Sequence, residues 1–101
     1  MTIRFDDKVA IVTGAGGGLG KQHALEFARR GAKVVVNDLG GAVDGSGGAS
    51  DAANAVVEEI RAEGGEALAN GSSVADKAGV SNMVEETMKK WGRIDILVNN
   101  A

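Results

Sequence analysis

Short apolar runs alternate along this chain with longer segments in which apolar residues recur every three or four positions. The runs are brief and mostly β-branched, which is typical of parallel strands that are buried on both faces. They predict four strands, over residues 8–13, 33–38, 66–70 and 94–101.

The longer segments predict three amphipathic helices, each ending at a glycine that can adopt the left-handed conformation of a C-cap. The first helix is expected from about Leu19 to Arg30, with apolar positions Leu19, Ala24, Leu25, Phe27 and Ala28. The second follows the N-cap Ser50 and ends at Gly64, with a buried stripe of Ala52, Ala53, Val56, Val57 and Ile60. The third follows the cap Asp76 and ends at Gly92, with a core stripe of Val80, Met83, Val84, Thr87, Met88 and Trp91.

Alternating strands and helices with right-handed crossovers predict an α/β fold, a parallel sheet of strand order 3-2-1-4 with helices on both faces. The 101 residues, of which 44% are hydrophobic, are enough for one domain spanning residues 1–101.

A glycine-rich turn joins the first strand to the first helix. It reads T-G-x-x-x-G-x-G through Thr13, Gly14, Gly18 and Gly20, with Gly16 and Leu19 between them. In a strand–turn–helix unit, glycines let the backbone approach a dinucleotide pyrophosphate, and the helix N-terminus supplies free N–H groups. Because structural turns also collect glycine, the turn needs independent support.

Asp38 provides that support, at the end of the second predicted strand and 18 residues after Gly20. A carboxylate at about this spacing accepts hydrogen bonds from the adenosine ribose hydroxyls of a dinucleotide. The alternative is a turn-forming role before Gly40, and the context favours the cofactor role.

The segments Thr13–Gly20, Asn37–Gly41, Val57–Ile60, Gly92–Asp95 and Leu97–Ala101 together give a resemblance to one family. The chain resembles the N-terminal half of the short-chain dehydrogenases, whose cofactor domain is Rossmann-like. Within them it is similar to the (3R)-hydroxyacyl-CoA dehydrogenase domains of type 2 multifunctional enzymes of fatty-acid β-oxidation.

The resemblance implies NAD as cofactor and an acyl-CoA substrate. It puts the pyrophosphate on Gly14, Gly16, Gly18, Leu19 and Gly20 and the ribose on Asp38. It also implies that Ser73 and Val74 line the adenine pocket and that Asn100 meets the nicotinamide-side ribose. One departure is Ser72, where relatives usually carry an acidic residue that can bond the adenine amino group.

The catalytic groups of that family are Ser, Tyr and Lys, with a further Asn in the proton relay, and this chain has no tyrosine. We therefore assign no catalytic residue within it. The only histidine, His23, is expected to be a surface or packing residue. Two functions remain open: the NAD-binding portion of a dehydrogenase that needs a C-terminal catalytic half, or a stand-alone nucleotide-binding or interaction module without chemistry.

Composition limits the partners, metal sites and cellular location that can be expected. A net charge of −3 without a basic stripe argues against nucleic acid as a partner, and the absence of cysteine excludes thiolate metal sites. With neither a signal peptide nor an 18-residue apolar run, we expect no membrane association and a cytoplasmic location, peroxisomal in eukaryotic relatives.

Two regions carry further expectations. The segment 39–49 has five glycines and predicts a mobile surface loop beside the adenosine pocket; whether it contacts the cofactor is left open. The fourth strand would present an unpaired apolar edge, so self-association through it is expected.

Overall fold

The computed structural model describes residues 3–39 and 50–100. Seven elements alternate strictly along them: β1 (Val9–Thr13), α1 (Gly18–Arg29), β2 (Lys33–Asn37), α2 (Asp51–Ala62), β3 (Ala67–Asn70), α3 (Lys77–Trp91) and β4 (Ile96–Val98). The predicted segment 39–49 lies, apart from Leu39, outside the described residues, and so does Ala101.

The four strands form one parallel sheet in the order β3-β2-β1-β4, which confirms the predicted topology. Thr13 of β1 is aligned with Asn37 of β2, and Asn37 is aligned with Asn70 of β3. The carboxyl ends of three strands therefore meet in one row along an edge of the sheet.

Helices cover both faces of the sheet, as predicted. On one face, residues of α1 and α2 pack on alternate strand residues, including Val12, Val34 and Val36. On the other face, Met83 of α3 packs on Ile11 and Val35. Strand side chains alternate between faces, so a β-branched run such as Val34–Val36 supplies both cores at once.

The predicted helix ends are confirmed. The Ser50 side chain accepts a hydrogen bond from the Ala53 N–H, and the Asp76 side chain accepts one from the Gly79 N–H. Gly31, Gly64 and Gly92 all have positive φ, of 99°, 88° and 73°. These conformations are strained for residues with a β-carbon, so glycine is favoured at each helix end.

The strands are shorter than the sequence predicted. Strand β2 ends at Asn37 rather than Asp38, and β4 covers only Ile96–Val98 of the expected 94–101. Ile94 accordingly does not share a face with Val98: Ile94 packs with the α3 core, whereas Val98 packs with the α1–α2 core. The β-alternation fails because Ile94 precedes the regular strand.

Three apolar positions expected in the core are instead at the surface of α3. Met83 and Thr87 are buried, whereas Val80, Val84 and Met88 are 39%, 39% and 45% exposed. The sheet contacts only one margin of the predicted stripe. Ala52, expected in the buried stripe of α2, is likewise exposed, and it lies in the first turn of that helix.

Candidate dinucleotide-binding site

The candidate site lies along the carboxyl edge of the sheet, where polar residues end the strands. Thr13, Asn37 and Asn70 end β1, β2 and β3, and all three are buried. The glycine turn and Asp38 continue from β1 and β2 above this row. Open parallel sheets bind ligands at this edge, because the loops and helix N-termini there point outwards together.

The glycine turn adopts a conformation that depends on its glycines. Gly14 and Gly18 have φ angles of 61° and 56°. A β-carbon on Gly20 would collide with the carbonyl oxygen of Gly14 and would lie 2.7 Å from the Asn100 side-chain nitrogen. Gly20 therefore lets the start of α1 press directly onto the turn.

Helix α1 begins at this turn without a capping side chain. Its N-cap residue is Gly17, which has no side chain to form a capping hydrogen bond. Leu19, in the first turn of the helix, is 70% exposed. Among the described residues, nothing covers the chain at Gly18 and Leu19, so a pyrophosphate could approach the first turn of the helix there.

Asp38 lies directly beside the turn. Its carboxylate fills the space that a β-carbon on Gly16 would occupy. The Ser50 hydroxyl donates a hydrogen bond of 3.0 Å to Asp38 Oδ2. The structure therefore brings together two features that the sequence places in separate segments, the glycine turn and the carboxylate.

Asn100 is held against the same turn through Thr13, which the sequence marked only as the first residue of the glycine-turn motif. The Thr13 hydroxyl accepts a hydrogen bond of 2.9 Å from the Asn100 N–H and lies 3.3 Å from Asn99 Oδ1. The Asn100 side chain donates to the Gly14 carbonyl at 3.5 Å. Thr13 thus ties the end of β4 to the glycine turn; its place at the end of a buried strand was the available signal.

Ser73 and Val74 follow β3 and are partly buried. The Ser73 hydroxyl accepts a hydrogen bond from the Ala75 N–H at 3.2 Å. Val74 packs against the core on the α3 side of the sheet. Their contact with adenine stays a prediction. Ser72 donates to Asn82 Oδ1 at 2.7 Å, which leaves the lone pairs of its hydroxyl able to accept.

A chain of hydrogen-bonded amide side chains holds the loop that follows β3. It was not predicted from the sequence. The Asn37 side chain donates to Asn70 Oδ1 at 2.8 Å and to the Ser72 carbonyl at 3.0 Å. Asn70 in turn donates to Glu86 of α3 at 2.6 Å. The signal was the pair of asparagines that end successive strands.

The opposite end of the sheet holds a cavity of about 580 Å³ lined by Arg4, Arg29, Lys33, Glu63 and Glu66 among others. Its charges are largely engaged with one another: Arg29 pairs with Glu63 at 3.0 Å and Lys33 with Glu66 at 3.9 Å. The hydrogen bond from Arg29 lowers the pKa of Glu63. This end therefore presents balanced ion pairs rather than a charged site for a ligand.

Comparison with known proteins identifies the family. The family model described as short chain dehydrogenase matches residues 8–101. The chain belongs to the short-chain dehydrogenase family. It corresponds to the N-terminal region of its relatives, as the sequence resemblance indicated.

Curated relatives include peroxisomal multifunctional enzymes. The chain is 59% identical over 101 residues to peroxisomal multifunctional enzyme A of Dictyostelium discoideum; the alignment covers all of this chain and 22% of that protein. It is 59% identical over 99 residues to peroxisomal multifunctional enzyme type 2 of Drosophila melanogaster, of which it spans 16%. The chain thus spans about a fifth of the length of these relatives.

Solved structures agree on the fold. A short-chain dehydrogenase from Mycobacterium avium superposes with a TM-score of 0.89 at 52% identity, over all of this chain and 35% of that one. A 7α-hydroxysteroid dehydrogenase in complex with NADH and 7-oxoglycochenodeoxycholic acid gives 0.85 at 42% identity, over 96% and 34% of the two chains. Among residues 3–39 and 50–100, no helix is long and apolar enough to cross a membrane.

Proposed function

We propose that residues 1–101 form a single NAD-binding unit of a short-chain dehydrogenase. The observation that carries the proposal is the juxtaposition of the glycine turn with Asp38 at the carboxyl edge of the sheet. The turn leaves the N-terminus of α1 open to a pyrophosphate. Asp38 stands beside it, where the adenosine ribose of the same dinucleotide would lie.

The residues present fit NAD better than NADP. The carboxylate of Asp38 can accept hydrogen bonds from both ribose hydroxyls of NAD, whereas the 2′-phosphate of NADP would face it as a like charge. The turn from Gly14 to Gly20 contains neither Arg nor Lys to balance that phosphate. Ser73, Val74 and Asn100 complete the proposed site on the adenine and nicotinamide sides.

The proposed reaction is oxidation of a secondary alcohol, with 3-hydroxyacyl-CoA as the substrate class. NAD supplies the hydride acceptor when bound. The support for this substrate class is the similarity to the peroxisomal multifunctional enzymes, and a hydroxysteroid dehydrogenase among the relatives also acts within the same alcohol–ketone chemistry. The proposed setting is cytoplasmic, or peroxisomal as in the eukaryotic relatives.

Proton transfer from the substrate hydroxyl needs a general base. In the family this base is a tyrosine, and these 101 residues contain none. A positioned acid or base contributes about 10²–10⁴-fold to the rate of such a step. The dehydrogenase function therefore depends on residues outside these 101. A stand-alone nucleotide-binding or interaction module is the alternative; it predicts NAD binding without turnover.

Calorimetric titration of the chain with NAD and with NADP tests the cofactor assignment. We expect NAD to bind more tightly, and Asp38→Ala to weaken NAD binding while improving NADP binding. Tighter binding of NADP by the unmodified chain would contradict the proposal. An absorbance assay for NADH with a (3R)-hydroxyacyl-CoA, run on this chain and on the product of the complete reading frame that encodes it, separates the two. Turnover by that product and none by this chain supports the dehydrogenase; turnover by neither supports the module.

A further inference from the structure

We propose that Ser50 is a positioning residue that sets the orientation of Asp38 and thereby the preference for NAD over NADP. The inference rests on the proposed function, because Asp38 is the residue assigned to the ribose. Ser50 itself is not expected to touch the cofactor.

Two hydrogen bonds converge on the Ser50 hydroxyl. It donates to Asp38 Oδ2 at 3.0 Å and accepts from the Ala53 N–H at 3.0 Å. Ser50 is only 7% exposed, so both bonds are largely shielded from competing water. A hydroxyl has one proton to donate, and the N–H of Ala53 occupies an acceptor position; this favours the orientation in which that proton goes to Asp38.

The arrangement fixes the carboxylate from two sides. Gly16, without a β-carbon, leaves the space that Asp38 fills, and Ser50 holds one of its oxygens. A carboxylate can accept several hydrogen bonds at once, so the bond to Ser50 is compatible with bonds from a ribose. An Asp side chain with a defined orientation binds a ribose diol at a smaller entropic cost than one that must first be ordered.

Ser50 also connects the carboxylate to helix α2. As the N-cap of a 12-residue helix, it holds Asp38 beside the N-terminal end of that helix. Because a carboxylate held in this place accepts from the ribose and repels a 2′-phosphate, removing Ser50 should reduce the discrimination between the two cofactors rather than binding in general.

The test must separate this role from helix capping, since Ser50 serves both. Glycine is nearly as good an N-cap as serine, costing only a few tenths of a kcal/mol. Ser50→Gly therefore removes the bond to Asp38 while largely keeping the cap, Ser50→Ala removes both, and Ser50→Thr keeps both. Asp76→Gly at the N-cap of α3 is the matched control, because Asp76 caps a helix in the same way through the Gly79 N–H.

The measured quantity is the ratio of the dissociation constants for NADP and NAD, determined by calorimetry alongside thermal unfolding. We expect Ser50→Gly and Ser50→Ala to lower this ratio by about fivefold, the scale of losing one ordinary hydrogen bond. Ser50→Thr should restore it, and Asp76→Gly should leave it unchanged. In an Asp38→Ala background, Ser50→Gly should have no further effect on the ratio.

The outcomes distinguish the two proposals. If the unmodified chain prefers NAD and Ser50→Gly keeps the full preference, Ser50 is only a helix cap and the inference is wrong while the cofactor assignment stands. If the unmodified chain shows no preference for NAD, the cofactor assignment itself fails and the inference fails with it. A drop in the ratio that also appears in the Asp38→Ala background would likewise overturn the inference, because Ser50 would then act without Asp38.

Discussion

The carboxylate of Asp38 lies against the α-carbon of Gly16, in the space where any other residue would have its β-carbon. The contact joins the loop after β1 to the end of β2. It makes Gly16 a determinant of where the carboxylate can stand, in addition to its place in the glycine turn.

Gly16→Ala should displace Asp38 and weaken NAD binding by about tenfold, the loss expected when a charged hydrogen-bonding group is moved away from its partner. Gly31→Ala is the control, because a β-carbon there would likewise collide with a carboxylate, that of Asp6, at the opposite end of the sheet. The φ of 99° at Gly31 adds a backbone cost, so this control is at least as destabilising as Gly16→Ala. Calorimetry with NAD should show normal affinity for Gly31→Ala, and equal losses for both variants would mean that general destabilisation is the cause.

Gly18→Val should abolish NAD binding. The new side chain would crowd the backbone's approach to the pyrophosphate, and the φ of 56° at Gly18 is costly for a β-branched residue. Gly92→Val is the matched control, because a β-branched residue at its φ of 73° carries a similar backbone cost. At both glycines, no described atom lies within 4 Å of an added β-carbon. If thermal unfolding shifts similarly for both variants while only Gly18→Val loses NAD, the loss belongs to the site.

The chain should associate with itself in solution through β4. This strand lies at the edge of the sheet, and Leu97 on it is 62% exposed. The exposed Val84 and Met88 of α3 add apolar surface. Unpaired edge strands favour pairing with another chain. Light scattering at high micromolar concentration should show a dimer or larger species, and Leu97→Lys should reduce it; a monomer at that concentration would contradict the expectation.

Asp95 should stabilise the fold at neutral pH and lose this effect in acid. Its carboxylate accepts hydrogen bonds from Arg93 at 2.8 Å and from the backbone N–H of Val9 at 2.9 Å, which joins the residues before β4 to β1. The bond from Arg93, followed by that from Val9, lowers the pKa of Asp95. A lowered pKa means that the folded state holds the proton less tightly than the unfolded chain, whose Asp titrates near 3.9.

The stabilisation is therefore fully present above about pH 4 to 5 and disappears as the pH falls through the lower pKa of the folded state. Chemical denaturation of the chain and of Asp95→Asn at several pH values measures this. The unmodified chain should be the more stable of the two at pH 7, with the difference narrowing below pH 4. A difference that stays constant down to pH 2 would show that the charge of Asp95 has no part in it.

The sequence by itself determined the local features. The caps Ser50 and Asp76 and the glycines after the three helices were predictable, because each depends on hydrogen bonds and φ angles within a few residues. The strand order was predictable as well, since right-handed crossovers leave few arrangements for alternating strands and helices. The glycine turn and Asp38 could be recognised from their spacing along the chain.

Only the tertiary structure decided how these pieces meet. The bond between Ser50 and Asp38 spans a segment without periodicity, and the bond between Thr13 and Asn100 joins the two ends of the chain. Hydrophobic periodicity also overestimated the buried surface of α3, where Met88 is exposed. Periodicity shows which side of a helix is apolar, whereas burial depends on how far the neighbouring sheet extends beneath it, and that is a property of the assembled fold.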